Sequence, residues 1–245
     1  MQTKKLHSWN LSYSDAIAVQ KQLSEKVRLV QLKNQPKIIA GVDCALTKNR
    51  RRILAVAVVL RVPHAQKGLW EPLEPHDFEL IETATASQEA TFPYIPGLLS
   101  FREAPACIAA VEKLKKEPDA FLIDGQGIAH PRRFGLAAHL GLLFDKPTIG
   151  CAKSRLIGEF EEPPLQKGAY SLLKDKKSTQ TNALYETIGA VLRTRTNVKP
   201  IFVSVGNKCL LNDAIKVTLD CTTKYRLPEP TRLAHQTVGK LKLKA

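Results

Sequence analysis

Two hydrophobic periods alternate along this chain, and the switches between them mark its elements. Ile17, Val19, Leu23, Val27 and Val30 recur at near-helical spacing with charges between them, which predicts an amphipathic helix over 16–30 begun by Asp15. Three strand-like segments follow with no helix among them, over 37–45, 53–61 and 78–85. Thr47-Lys48-Asn49-Arg50 is the expected turn between the first two, and the proline-rich stretch 64–76 is the longer surface connection to the third. A loop with Pro93, Pro96 and Gly97 leads to a helix over 105–116, a strand over 120–123, a helix over 134–144 and a strand over 148–152. Beyond these, 184–193 and 201–205 read as strands, 211–222 as a helix begun near Asn212 or Asp213, and 231–240 as a terminal helix. The stretch 161–180 follows neither period, and no internal repeat is visible.

Three successive strands, then helix, strand, helix, strand, describe an α/β protein: a mixed β-sheet flanked by helices, with an antiparallel meander first and parallel additions afterwards. That order is the skeleton of the ribonuclease H-like fold, and it sets the ends of the first and fourth strands side by side. Both ends carry an aspartate. Asp43 closes the run 38–43, and Asp124, followed by Gly125-Gln126-Gly127, closes 120–123. A carboxylate at a strand's carboxyl end, in backbone stripped of side-chain bulk, can hold a cation against a phosphate. Either aspartate alone is equally what a turn after a strand carries.

Charge changes the balance. Lys and Arg outnumber Asp and Glu by 37 to 23, a formal net charge of +14 spread along the chain. Such a field attracts polyanions, with nucleic acid the first candidate and an anionic membrane surface the second. No apolar run approaches the roughly eighteen residues of a membrane span. The first nine residues lack the apolar core of a signal peptide. The expectation is a monomeric cytoplasmic protein with no membrane partner. At 245 residues it suits one domain over 1–245. Cys44, Cys107, Cys151, Cys209 and Cys221 are odd in number and widely spaced, which points to small buried hydrophobes and against a disulfide framework or zinc knuckle. Two strand-end carboxylates in so basic a chain point to metal-assisted phosphodiester chemistry.

Longer strings carry a resemblance. Gly41-Val42-Asp43, Pro93-Tyr94-Ile95-Pro96-Gly97-Leu98-Leu99-Ser100-Phe101-Arg102-Glu103, the block 124–135 and Gly150-Cys151-Ala152-Lys153-Ser154 resemble endonuclease V, as do the later Ser204-Val205-Gly206 and the block 226–232. Together they run from about residue 38 to 236 in the family's order. The resemblance implies a magnesium-dependent enzyme of ribonuclease H-like fold that nicks DNA near deaminated bases, chiefly deoxyinosine, usually at the second phosphodiester bond on its 3′ side.

It also implies roles. Asp43, Asp124 and Glu103 are the expected metal set for Mg²⁺, with Mn²⁺ as a substitute: the two aspartates are the direct ligands, and Glu103, at the start of the segment leading into the next helix, completes the acidic set. His235 occupies the late active-site position, where other members carry Asp; it would order the attacking water or add a ligand. Lys153 would pair with a phosphate oxygen or the developing oxyanion. Tyr94, framed by Pro93 and Pro96 and accompanied by Ile95, corresponds to the strand-separating wedge. His130, Arg132 and Arg133 are the expected phosphate grip, and Gly125, Gln126 and Gly127 would line a pocket for an extruded base or admit DNA closely. Two positions depart from the pattern: Ser154, where many relatives show a second basic residue, and Asn207-Lys208, often written His-Arg. The expected partner is double- or single-stranded DNA containing deaminated bases. Alternatives are inosine RNA or structured junctions cut by the same centre, and a basic nucleic-acid-binding module without catalysis.

Overall fold

The computed structural model describes residues 1–63, 73–176 and 184–244. Strands β1 (Ile38–Leu46), β2 (Arg52–Arg61) and β3 (Glu79–Glu89) form an antiparallel meander. β4 (Ala120–Ile123) pairs parallel to β1, and β5 (Thr148–Ala152) parallel to β4. β6 (Tyr170–Lys176), β7 (Tyr185–Leu192) and β8 (Ile201–Asn207) continue one eight-stranded sheet antiparallel, in the order β3-β2-β1-β4-β5-β8-β7-β6. The five α-helices are α1 (Tyr13–Ser24), α2 (Leu99–Val111), α3 (Leu136–Phe144), α4 (Leu211–Asp220) and α5 (Glu229–Lys244).

The sheet is covered on both faces. Ala40, Val42, Phe121 and Ile123 pack against Cys107 and Ala110 of α2 and Leu140 of α3. Ile39, Leu122 and Ile149 face the other way, into a cluster with Ile215 of α4 and Ala234 and Val238 of α5. Two covered faces explain why β2 and β4 read as unbroken apolar runs instead of alternating ones. Four of the cysteines are buried, Cys44 is half-buried, and all five are free.

Some boundaries differ from the pattern's prediction. α1 starts from Ser12, whose hydroxyl accepts from the Asp15 amide, but it ends at Ser24, leaving Leu29 and Val30 exposed. Side chains from the far end of the chain take over the backbone there: the Arg28 amide donates to Asn207 Oδ1 (3.0 Å) and the Leu32 amide to Asp213 Oδ2 (2.9 Å), so the segment runs across the body instead of coiling. α2 begins at Leu99, six residues before the predicted start at Pro105, which sits inside the helix. Proline removes one backbone donor, and the buried stripe of Phe101, Ala104, Cys107 and Val111 overrides that loss. β6 lies within the stretch that shows no period. It is an edge strand in which Leu173 is buried and Leu172 exposed, too little burial to write an alternation. Residues 64–72 of the expected surface connection fall outside the described residues; its other end includes a 3₁₀ turn, Pro75–Asp77.

Candidate active site

The site is built where the parallel pairing of β1 with β4 stops: β4 ends just before Asp124, whereas β1 runs on past Asp43 to Leu46 against β2, so Asp43 lies within its strand and not at the expected strand end. In the parallel pairing Gly41 faces Leu122 and Val42 faces Ile123, and the Asp124 amide donates to Val42 O (2.9 Å). The next step of the register sets Asp43 beside Asp124 on neighbouring strands, about 4.8 Å apart in backbone. Both side chains project to the α5 face, because a strand alternates its faces every residue and Ile39 and Leu122 already lie on that side.

α5 reaches the carboxylates because Gly41 lets it. A Cβ on Gly41 would lie 2.0 Å from Pro230 O and 2.7 Å from the Thr231 amide nitrogen, so only glycine admits the helix start this close. Two residues along β1 is Asp43 and four along the helix from Thr231 is His235, each on the same face as the contact. His235 Nδ1 lies 2.7 Å from Asp43 Oδ2 and 3.9 Å from Asp124 Oδ2. Lys153, just past β5, sets its ammonium directly against Asp124 Oδ2 and 3.1 Å from His235 Nδ1. The Lys153 carbonyl is held by Arg226 Nη2 at 2.7 Å, with a second bond from the same nitrogen to Pro200 O (2.8 Å).

Asp43, Asp124 and His235 each offer a ligand atom, all within 4.8 Å of one another, and among the described residues they are the set able to close on one metal ion. The donor chemistry fits a divalent cation. One ring nitrogen cannot donate to the Asp43 carboxylate and accept from the Lys153 ammonium at once; a cation among the three side chains takes the imidazole lone pair and both carboxylates together. His235 takes the third place in this triad, and Glu103, expected in the metal set, lies outside it. It sits in the second turn of α2 instead of ahead of the helix, and reaches the site electrostatically. Burial first, then the charges of Asp43 and Asp124, raise its carboxyl to about 7. Burial and the Asp124 charge raise Asp43 to about 6, against the hydrogen bond from His235.

Beside the carboxylates opens a cavity of about 420 Å³, lined by Tyr94, Glu103, Asp124, Gly125, Gln126 and Lys153 among others. Gln126 Nε2 donates to Ser154 O (3.0 Å), and its buried Oε1 has no hydrogen-bond partner among the described residues. Tyr94 stands at the rim, 70% exposed, between exposed Pro93 and Pro96. Ile95 turns inward instead, against the cluster of Ala16, Phe92, Leu98 and Phe101, so it anchors the loop and does not accompany Tyr94 outward.

Four further expectations are corrected. His130 is buried, its Nε2 3.0 Å from Gly97 O, and burial with the neighbouring Arg132 charge lowers it to about 4. Arg132 donates to Gly97 O (2.7 Å) and Gln20 Oε1 (2.5 Å). Arg133 pairs with Asp175 (2.9 Å) and Glu186. These three side chains spend their hydrogen bonds inside the protein, bracing the Tyr94 loop and the β6–β7 hairpin, and are not an open phosphate grip. Gly127 is buried against β8, where a Cβ would lie 2.0 Å from Val205 O; it serves packing and does not line the cavity, as Gly125 and Gln126 do.

Sequence reasoning passes over Gln20, Gly41 and Arg226 as individuals. Gln20 Nε2 donates to Gly97 O and Phe134 O, both at 3.0 Å, tying α1 to the loop. A readable signal exists: Gln20 is the polar member of the buried stripe Ala16, Gln20, Leu23.

Comparison with known proteins agrees with this geometry. The Endonuclease V family model matches residues 21–236. The chain belongs to the endonuclease V family. An endonuclease V from Methanothrix thermoacetophila is 45% identical over 235 residues, covering 96% of this chain and 94% of its own. The crystal structure of the endonuclease V from Streptomyces avermitilis superposes with a TM-score of 0.83 at 36% identity, covering 100% of this chain and 99% of that one. The endonuclease V of Ciona intestinalis, solved with a 23mer DNA containing an inosine followed by a ribo-adenosine, gives a TM-score of 0.73 at 29% identity, covering 94% and 97%. The fold is therefore the ribonuclease H-like one of endonuclease V nucleases, and the chain is a nuclease of that family. Among the described residues no helix is long and apolar enough to cross a membrane.

Proposed function

We propose that this protein is a DNA repair endonuclease that hydrolyses the second phosphodiester bond 3′ to deoxyinosine, acting in the cytoplasm as a monomer and as one domain over its full length. The observation that carries the reading is the meeting of Asp43, Asp124 and His235 where the central β1–β4 pairing stops, in a chain whose family relatives include an inosine-DNA complex. A divalent ion held there, Mg²⁺ in the cell with Mn²⁺ as a substitute, would neutralise phosphate charge and make a bound water acidic enough to attack. Asp43 and Asp124 are the first ligands; His235 is a third, or orders the attacking water. Glu103, with its carboxyl raised to about 7, is suited to take a proton from that water near neutral pH. The Lys153 ammonium, already against Asp124, lies where a non-bridging phosphate oxygen can be met by a point charge.

Recognition uses the cavity. Tyr94, rigidly framed and exposed, enters the duplex at the lesion, and the weakly paired base is the cheaper one to extrude. Hypoxanthine carries a proton on N1 where adenine has a lone pair, and the unpartnered Oε1 of Gln126 is an acceptor suited to such a donor. Gly125, bare of side chain, lets the base approach.

An end-labelled duplex with one deoxyinosine, incubated with and without Mg²⁺, tests the reading. The expected product is a single Mg²⁺-dependent nick one nucleotide beyond the lesion's own 3′ bond; no nick under any divalent ion would refute it. A second reading, inosine RNA cut by the same centre, is favoured by the ribo-adenosine after inosine in the Ciona ligand. Matched DNA and RNA strands separate the two.

A further inference from the structure

Tyr94 borders two cavities of different character. One is the carboxylate-lined cavity described above. The other, about 730 Å³, shares only Tyr94 with the first and is otherwise lined by Leu46, Thr47, Lys48, Arg50, Arg102 and Lys242. Three separate elements supply its cations: the β1–β2 turn, the first turns of α2 and the last turn of α5. Among the described residues no carboxylate lines it, whereas Glu103 and Asp124 line the first. The elements are tied together across the groove, Lys48 Nζ donating to Leu243 O (3.3 Å) and Arg102 Nη1 to Phe92 O (3.1 Å) at the root of the Tyr94 loop.

A wedge that opens a duplex makes two paths, and only one is explained by the catalytic centre. The lesion strand must run through the first cavity to bring its phosphate to Asp43 and Asp124. The strand it leaves is still a polyanion, displaced to the opposite side of Tyr94, and it needs cations without competing acids. We propose that the groove of Lys48, Arg50, Arg102 and Lys242 holds the backbone of the strand complementary to the lesion. This deepens the endonuclease reading and rests on it for the place of the lesion strand. The groove makes the protein a reader of duplex context: its contacts form with paired substrate and are absent with a single strand. Its contacts are to phosphate, so they set register and not sequence.

The experiment compares the unaltered protein with Lys48→Gln/Arg50→Asn/Lys242→Gln, with Ca²⁺ replacing Mg²⁺ to hold back cleavage. Arg50 sits at φ 59°, a left-handed backbone position that asparagine tolerates well, so Arg50→Asn removes charge without straining the turn. Binding is titrated against an inosine duplex and the same inosine strand alone over a range of salt. Expected are a roughly ten- to hundredfold weaker duplex affinity, a salt slope shallower by about 3, and a single-strand affinity within about twofold of the original. Equal weakening on both substrates, or an unchanged duplex slope, would overturn the assignment. Arg50→Asn alone, expected to reduce the duplex slope by about 1, tests the same assignment if the triple variant folds poorly, and an unchanged slope overturns it there too. Cleavage of the single strand by the unaltered protein reports separately on the catalytic reading, so the two claims fail independently.

Discussion

Asp43 and Glu103 are carboxylates strained by their surroundings: burial and then the Asp124 charge raise Asp43 to about 6, and burial and then the charges of Asp43 and Asp124 raise Glu103 to about 7. For Glu103 the native state binds the proton more tightly than the unfolded chain, whose ordinary value is 4.5. Stability of the metal-free protein is therefore greatest below pH 4.5 as far as this group is concerned, falls as pH rises through about 7, and changes no further above. The span corresponds to a cost on the order of 3 kcal/mol at high pH. Glu103→Gln is expected to raise the metal-free melting temperature at about pH 8, to flatten its pH dependence across that window, and to slow cleavage. Melting curves of the two proteins over pH check this, and parallel profiles would mean that Glu103 does not carry the burden. Asp124→Asn removes one of the proposed metal ligands and the anionic partner of Lys153. Cleavage is expected to drop at least about a hundredfold with inosine-DNA binding in Ca²⁺ retained; near-parental nicking would exclude Asp124 from the centre.

At the scale of elements, the approach of α5 to β1 decides whether a site exists. Gly41→Ala places a methyl 2.0 Å from Pro230 O, and backbone on both sides leaves only displacement of the helix. Destabilisation of about 1–3 kcal/mol is expected, together with loss of activity as His235 moves off Asp43; denaturant titration and single-turnover cleavage measure the two. The Tyr94 loop behaves oppositely. Tyr94 is mostly solvent-exposed, so Tyr94→Ala should change stability within about 0.5 kcal/mol. Its effect should appear as slower nicking of duplex than of single-stranded inosine substrate, and equal rates on both would deny it a wedge role. These two elements also show what the sequence can tell. The strands carrying Asp43 and preceding Asp124 are legible from their apolar runs and the order of elements sets them side by side, although only β4 stops at its carboxylate and β1 continues to Leu46. His130, Arg132 and Arg133 mislead because a basic string looks the same whether its donors face solvent or, as here, the Gly97 carbonyl, Gln20, Asp175 and Glu186. Which way a guanidinium turns depends on partners far along the chain. β6 and the early start of α2 are hidden for related reasons: an edge strand with little burial has no period, and a proline inside a well-packed helix imitates a helix start.

Over the whole molecule, the excess of 37 basic over 23 acidic residues is sorted by the fold. The carboxylates of the candidate site collect where the central β1–β4 pairing stops, and among the described residues the charged lining of the groove bordered by Tyr94 is wholly cationic. Such a surface binds duplex DNA through counterion release, so affinity should fall steeply with salt whether or not inosine is present, while the inosine preference itself changes little. Competition between lesion and plain duplexes at several salt concentrations checks that separation. The fold is legible at this scale because the meander, the crossover and the apolar runs that carry or precede the aspartates are all local patterns. The joining of α5 to β1 is not, because it rests on one glycine and a helix almost two hundred residues apart. The central claim is that Asp43, Asp124 and His235 grip one divalent ion, and anomalous diffraction from crystals grown with Mn²⁺ tests it most directly. The account predicts a peak about 2 Å from a carboxylate oxygen of both aspartates, with His235 facing it. A peak that engages neither aspartate, or none at saturating Mn²⁺, would contradict it.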